Sequence, residues 1–405
     1  MGFLDLFIVS LIAVLKVLLV TAVGLFLSMD RINLLGRNVT RDLNNLAFFV
    51  FNPALILSSL SETITFQTFT TLWFMPVNLS FTVIIGSMLA WILIKVTQTP
   101  AHLQGLVVGS CSCGNHIFLL IIVQAICEDS KSPFGHSSVC STQGKAYGSL
   151  SFAVSTFYIW TYLYAIMSIY ANKSIADTIT AKNDSALGIQ TSGEIPSEIL
   201  SESCNTPLLS STACPSSESV VSFPNKMTDR FRKVTAEINL KLVFTPSTIA
   251  VIVGCVIGIV SPVRKAMIGD SAPLRVIDNS LSLLGDAAIP SITLVLGANL
   301  LNGLRGSRMS ILLIIGIIVV RYIILPLLGV LIVKGAHYFG MIGSNSFYHF
   351  VLLLQFAVPP PISVGTISQL HDVSVSESSV ILLWTYAVAS IALTLWTTFY
   401  LWLLA

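Results

Sequence analysis

Charge is the first thing this chain is short of. Of its 405 residues only 10% are Asp, Glu, Lys or Arg, while 54% are apolar and the mean hydropathy is +0.85. A soluble domain of this length cannot hide so much apolar side chain, so a water-soluble enzyme is excluded and a polytopic membrane protein is expected. The net charge of +2 supplies no electrostatic footprint for nucleic acid, and no nucleic-acid partner is expected. A Gly-x-x-x-x-Gly-Lys loop is missing, so nothing points to direct use of ATP, and no cofactor is implied. Seven cysteines carry no metal-ligand spacing; Cys111 and Cys113 lie inside an apolar run as packing residues. No paired aspartates or serine–histidine set falls at matching depth, which leaves an intramembrane enzyme without chemistry.

What the chain has is long apolar runs. Spans need about 20 apolar residues each. Ten are read, at 4–27, 43–61, 72–95, 101–126, 148–170, 244–262, 280–302, 309–333, 347–368 and 379–403. No Lys or Arg precedes the first run, while Arg31, Arg37 and Arg41 follow it, so it is not a cleavable signal and its N-terminus is expected away from the cytosol. Counted over all loops, thirteen Lys and Arg fall on the side of 28–42 and six on the other. Both termini are therefore expected on the non-cytosolic side. The insertion 171–243 is expected in the cytosol, and its Ser, Thr, Pro and Glu-rich part to be disordered. Asn172 and Asn183 open nominal glycosylation sequons that a cytosolic loop would leave unused, and Lys226 to Lys233 forms a basic run suited to anionic lipid.

The insertion divides the spans five and five, giving a first repeat at 1–170 and a second at 244–405. An odd number per half puts the halves in opposite orientations, an inverted-repeat layout. Phe51-Asn52-Pro53-Ala54-Leu55 in the second span resembles Ala288-Ile289-Pro290-Ser291-Ile292 in the seventh, the second of its half. The ninth span carries Pro359, Pro360 and Pro361 in a row, followed by Ser363, Gly365 and Thr366. Three prolines remove three donors and exclude a regular helix. Such backbone at membrane depth must be buried in protein or line a cavity, although a connection at the membrane surface would also suit prolines. The matching fourth span holds Gly109 to His116, a weakly helical run. Helix breaks are thus expected at Pro53, Pro290 and Pro361.

Few ionisable residues lie within spans, and such groups are functional candidates. Asp286 could carry a proton or pair with a cation, or could cap the seventh span. Lys16 could snorkel or bind an anion; Arg321 could pair or anchor its span. Asn52, Asn115 and Ser363 form a different set, neutral polar groups beside the breaks. Together with free N–H groups at half-helix ends they suit a carboxylate. Alternatively, Asn52 and Asn115 satisfy backbone left open by proline and glycine. His116 reads as a packing histidine. Tyr158, Trp160, Tyr162 and Tyr164 look like an interface belt, as do Trp384, Trp396 and Trp402. Cys127 and Cys140 flank one polar loop: a disulfide if that loop meets an oxidising lumen, otherwise two thiols.

Several stretches resemble the PIN-LIKES proteins, an intracellular branch of the plant auxin efflux carrier superfamily. They are LNNLAFFVFNPALILSSLSETIT at 43–65, SPFG at 132–135, YIWTYLY at 158–164, LGDAAIPSITLVLGANLLNGL at 284–304, RYIILPLLGV at 321–330 and VILLWTYAVASIALTLW at 380–396. The resemblance implies an all-α fold of ten spans in two inverted five-helix repeats, with broken helices four and nine crossing. It implies a site there for indole-3-acetic acid and residence in the endoplasmic reticulum membrane. The family's site residues carry over to Asn52, Gly114, Asn115, Pro359 and Pro360. Three positions depart from the family pattern: Ile117-Phe118 replaces a second Gly-Asn, Gln124 a proline, and Ser363 an asparagine. Fewer donors for a carboxylate are therefore expected at the fourth-span break. The reading is a carrier for auxin-like aromatic carboxylates, embedded in the lipid bilayer, with a homodimer among its open assemblies. A non-transporting scaffold or sensor and a cation- or bile-acid-type transporter are the competing readings.

Overall fold

The structure is a computed structural model describing residues 3–128, 132–173, 245–269, 271–304, 309–371 and 373–404. Most of the 171–243 insertion, with the Asn183 sequon and the basic run, lies outside the described residues, while Asn172 falls in the last turn of the helix that precedes it. Within them every regular element is helical. Apart from a short helix at Phe66–Thr71, the helices are α1 (Phe3–Leu27), α2 (Arg37–Thr63), α3 (Phe74–Thr97), α4 (Ala101–Ser112), α5 (Ile117–Glu128), α6 (Ser137–Lys173), α7 (Pro246–Ile259) and α8 (Ser261–Met267). After these come α9 (Arg275–Leu300), α10 (Ile311–Tyr338), α11 (Ser346–Leu354), α12 (Ser363–His371) and α13 (Val375–Leu404). Among the described residues eight helical stretches are long and apolar enough to cross a membrane, α4 and α5 counting as one. There are nine if α7 and α8, bent by 99° at Val260, form one more. The protein is a multi-pass membrane protein.

Two packings frame the molecule. α1 lies along α9 and α2 along α7, each brought close by glycine. A side chain on Gly24 or Gly297 would collide with the backbone of the opposing helix at Leu294 or Thr21, and one on Gly258 would collide with Ile64 O. Without a hydrophobic driving force in lipid, such close backbone approach is what van der Waals association uses.

Sequence and structure differ where proline and polarity were read too literally. Pro53 does not interrupt α2; the helix widens into a π-helical turn over Ala47–Phe51 and continues. The wider turn makes room for a ring that would otherwise press on the preceding turn. Pro326 follows a π-helical turn at Val320–Ile324 in the same way. In α9 the helix pauses only at Ala287, and Pro290 falls in the first turn of the resumed helix, where a missing N–H costs nothing. Breaks at Pro53 and Pro290 are thus corrected to continuous spans. α6 starts at Ser137, eleven residues before the expected start at 148. Its polar first turns are satisfied by α5: Ser141 Oγ donates to Gln124 Oε1 at 2.7 Å, and Gln124 Nε2 donates to Ser141 O at 3.1 Å.

The belt reading of 158–164 is also corrected. Tyr158 and Tyr162 pair their hydroxyls with Ser80 and Ser87 of α3, each at 2.6 Å, and Trp160 is buried. Hydroxyls that find partners inside the bundle have no reason to seek headgroups. Trp384 and Trp402 do face outward, whereas Trp396 donates its indole N–H to Tyr322 O at 2.7 Å. Lys16 neither snorkels nor waits for an anion; it meets Glu128 at 2.8 Å across α1 and α5. A disulfide joins Cys127 and Cys140, linking the end of α5 to the start of α6 with Cα atoms 5.4 Å apart.

Candidate functional site

Helical hydrogen bonding stops at Ser112 and resumes at Ile117; it stops again after Leu354 and resumes at Ser363. Every residue from Gln355 to Pro361 is buried, as are Cys113 to His116. Two stretches of non-helical backbone therefore meet inside the protein, where each open carbonyl needs a donor.

The donors come from four directions. Asn115 N–H donates to Pro359 O at 2.7 Å and ties the two stretches together. Arg321 reaches in from α10, giving Nε to Val358 O at 2.8 Å and Nη1 to Cys111 O at 3.1 Å. Tyr386 of α13 donates its hydroxyl to Pro360 O at 2.7 Å and accepts from Asn115 Nδ2 at 2.9 Å. Gly114 O accepts from Ser155 Oγ at 3.1 Å and from His116 Nδ1 at 3.0 Å. Because a carbonyl only accepts, that contact puts the His116 proton on Nδ1 and leaves Nε2 bare, and Nε2 has no partner. A further anchor sits at the start of the ninth-span break. Gln355 accepts from Asn78 Nδ2 of α3 at 2.7 Å and donates to Ser151 Oγ of α6 at 2.8 Å.

A cavity of about 430 Å³ opens beside the meeting point. Asn52, Gly114, Asn115, Pro361 and Ser363 all line it, so five of the expected site residues converge although they span more than 300 positions of sequence. Phe48, Phe152 and Trp160 supply aromatic wall, and Ser155 and His116 add polar atoms. Asn52 Oδ1 is buried without a hydrogen-bond partner. Among the described residues none of the lining side chains is Asp, Glu, Lys or Arg. Pro359 and Pro360 stand behind the wall, their carbonyls taken by Asn115 and Tyr386. Pro53 and Pro290 do not line the cavity; Asp286 lies outside it, at the exposed end of the first part of α9.

Asn115 therefore has a structural task, since its amide N–H₂ already meets Tyr386 and its Oδ1 faces Ile117 N–H at 3.4 Å. Tyr386 is the functional residue that the sequence alone does not single out. Arg321, a candidate from the rarity of charge within spans, neither pairs with a carboxylate among the described residues nor anchors at a surface, but is fully buried against backbone carbonyls.

Residues 9–397 match the family described as membrane transport protein. The chain is 47% identical to Protein PIN-LIKES 1 of Arabidopsis thaliana, over its whole length and 81% of that protein. It is 44% identical to Protein PIN-LIKES 3, with 99% of each chain covered, and 40% identical to Protein PIN-LIKES 4 over the full length of both, both also from Arabidopsis thaliana. The chain belongs to the PIN-LIKES family. The stretch 355–362 with its three prolines and the run Cys113–His116 both fall within the matched region, so the site is built from family sequence. A PIN-LIKES protein is a membrane transport protein, and a cavity with neutral polar groups at the meeting of two open backbone stretches suits a bound solute better than a packed scaffold.

Proposed function

We propose that the protein carries auxin, indole-3-acetic acid, or similar aromatic carboxylates between the cytosol and the lumen of the endoplasmic reticulum. The observation that carries this reading is the 430 Å³ cavity, whose wall holds aromatic rings together with amide and hydroxyl groups. Its volume lies within the ~300–1,000 Å³ typical of small-molecule sites. Phe48, Phe152 and Trp160 offer faces for an aromatic ring, while Asn52, Ser155 and Ser363 offer hydroxyl and amide groups. Among the described residues no cation lines the cavity, so at the wall itself a carboxylate meets hydrogen-bonding groups.

The fold proposed with it has ten spans, counting α4 with α5, α7 with α8, and α11 with α12 as broken spans. Exchange of the halves relates the two most extensive packings, α1 with α9 and α7 with α2, which supports inverted repeats. The pairing of Asn115 N–H with Pro359 O supports a crossing of the two broken helices. Transport follows by alternating access, one bundle shifting against the other around the crossing. A cation cargo is disfavoured, because no carboxylate lines the cavity among the described residues. Purified protein in sealed vesicles should take up labelled indole-3-acetate above empty vesicles, with competition by unlabelled aromatic carboxylates. Uptake no greater than in empty vesicles would reject the carrier reading.

A further inference from the structure

Arg321 is fully buried, and its hydrogen-bond partners are backbone carbonyls. No carboxylate pairs with it among the described residues, and Nη2 has no partner at all. A buried ion is costly unless another charge compensates it, and two carbonyl dipoles leave its net charge standing. Nη2 lies directly behind Gly114: a Cβ on that glycine would collide with it. Gly114 also lines the cavity, so the guanidinium and the cavity share this glycine as a neighbour. In a water-poor interior a unit charge acts far more strongly than in bulk water.

We propose that Arg321 is the fixed counter-charge for the bound carboxylate, acting across Gly114 without lining the cavity. This rests on the carboxylate-carrier reading above and names the residue that sets its preference for anions. The empty site then holds one uncompensated positive charge and the loaded site holds none. Glycine at 114 keeps this approach open, because a side chain there would collide with the guanidinium and with Val358. The hydrogen bonds of Arg321 and its charge are separable: a neutral amide can serve the carbonyls of Cys111 and Val358, but only a cation can favour an anion over its neutral isostere.

The test compares binding of indole-3-acetate with that of neutral indole-3-acetamide to purified protein in lipid nanodiscs, alongside thermal unfolding of each variant. Wild-type protein should prefer the carboxylate. Arg321→Gln should reduce the carboxylate-to-amide affinity ratio by about tenfold or more, equivalent to at least ~1.4 kcal/mol. Arg321→Lys should keep most of that ratio even where the melting temperature falls. If Arg321→Gln does not fold, Gly114→Ala should lower the same ratio by displacing the guanidinium. An unchanged ratio in folded Arg321→Gln, or in Gly114→Ala where only that variant folds, would overturn the role of Arg321 while leaving the carrier reading intact. Equal wild-type affinity for the two compounds would do the same. Binding of neither compound to wild-type protein would instead overturn the substrate reading and, with it, this inference.

Discussion

At the scale of single residues, the site depends on side chains that serve backbone as much as solute. Tyr386 is the clearest case, because one hydroxyl holds both Pro360 O and Asn115 Nδ2. Tyr386→Phe keeps the ring contact with Phe118, whose centroid is 5.5 Å away, and removes only the two hydrogen bonds. It should lower stability by about 1–3 kcal/mol, because a buried carbonyl loses its donor, and thermal unfolding in detergent reads this directly. Asn115→Ala should cost less, about 0.5–1.5 kcal/mol, since its backbone N–H still reaches Pro359 O. If Asn115 also touches the carboxylate, the same variant should bind indole-3-acetate roughly 10- to 150-fold more weakly. A folded Asn115→Ala protein with unchanged affinity would assign Asn115 to backbone support alone. Asn115 and Ser363 were legible because each adjoins a run that is not regular helix, whereas Asn52 was marked by Pro53, a proline that α2 absorbs. The role of Arg321 was not legible, since a lone arginine in an apolar run reads equally as an anchor until residues 111, 114 and 358 are seen around it.

At the scale of elements, prolines divide into those that stop a helix and those that a helix absorbs. Three in succession leave no way to close the hydrogen-bond ladder, so Pro359–Pro361 stay non-helical. Pro53 and Pro326 are absorbed by π-helical turns, and Pro290 by a first-turn position. Spacing along the chain does not distinguish these outcomes, because the choice depends on what packs against the widened turn. The early start of α6 has the same cause: Gln124, on the neighbouring helix, satisfies polar residues that otherwise read as loop. The bond between Cys127 and Cys140 then closes a short connection, at a separation of 13 residues. Non-reducing peptide mapping should recover the two cysteines in one cross-linked fragment. Cys140→Ser should destabilise the protein by up to about 3 kcal/mol, a bound set by the loop entropy of a chain free in water. Two alkylatable thiols in carefully quenched protein would show that α5 and α6 are held by packing alone.

At the scale of the whole molecule, the orientation we propose rests on the uneven distribution of Lys and Arg, thirteen on one side against six on the other. The 171–243 insertion is proposed to be cytosolic and both termini lumenal. Protease added to sealed microsomes should cut within the insertion while a tag at the C-terminus survives; an insertion protected until detergent is added would reverse the assignment. The same experiment bears on the span count, because an even number of spans keeps both termini on one side. The cavity adds a consequence of this layout. Pro246 and Ser247, where the described chain returns after the insertion, lie in the cavity wall beside Asn44 and Asn45 of α2. If the insertion is cytosolic, that end of the cavity faces the cytosol.

Composition and periodicity by themselves determined that the chain lies in a membrane, that it is helical, and that its second half departs from helix at three consecutive prolines. These follow from transfer free energy and from the missing N–H groups of proline, both properties of a residue wherever it sits. Tertiary structure alone decided which polar groups do the satisfying. Arg321 reaches the carbonyls of Cys111 and Val358, and Tyr386 joins Asn115 to Pro360. A span boundary is set by the local balance of apolar and polar side chains. A hydrogen bond between residues separated by 210 or 271 positions is set by how whole helices pack, and no local pattern encodes that packing.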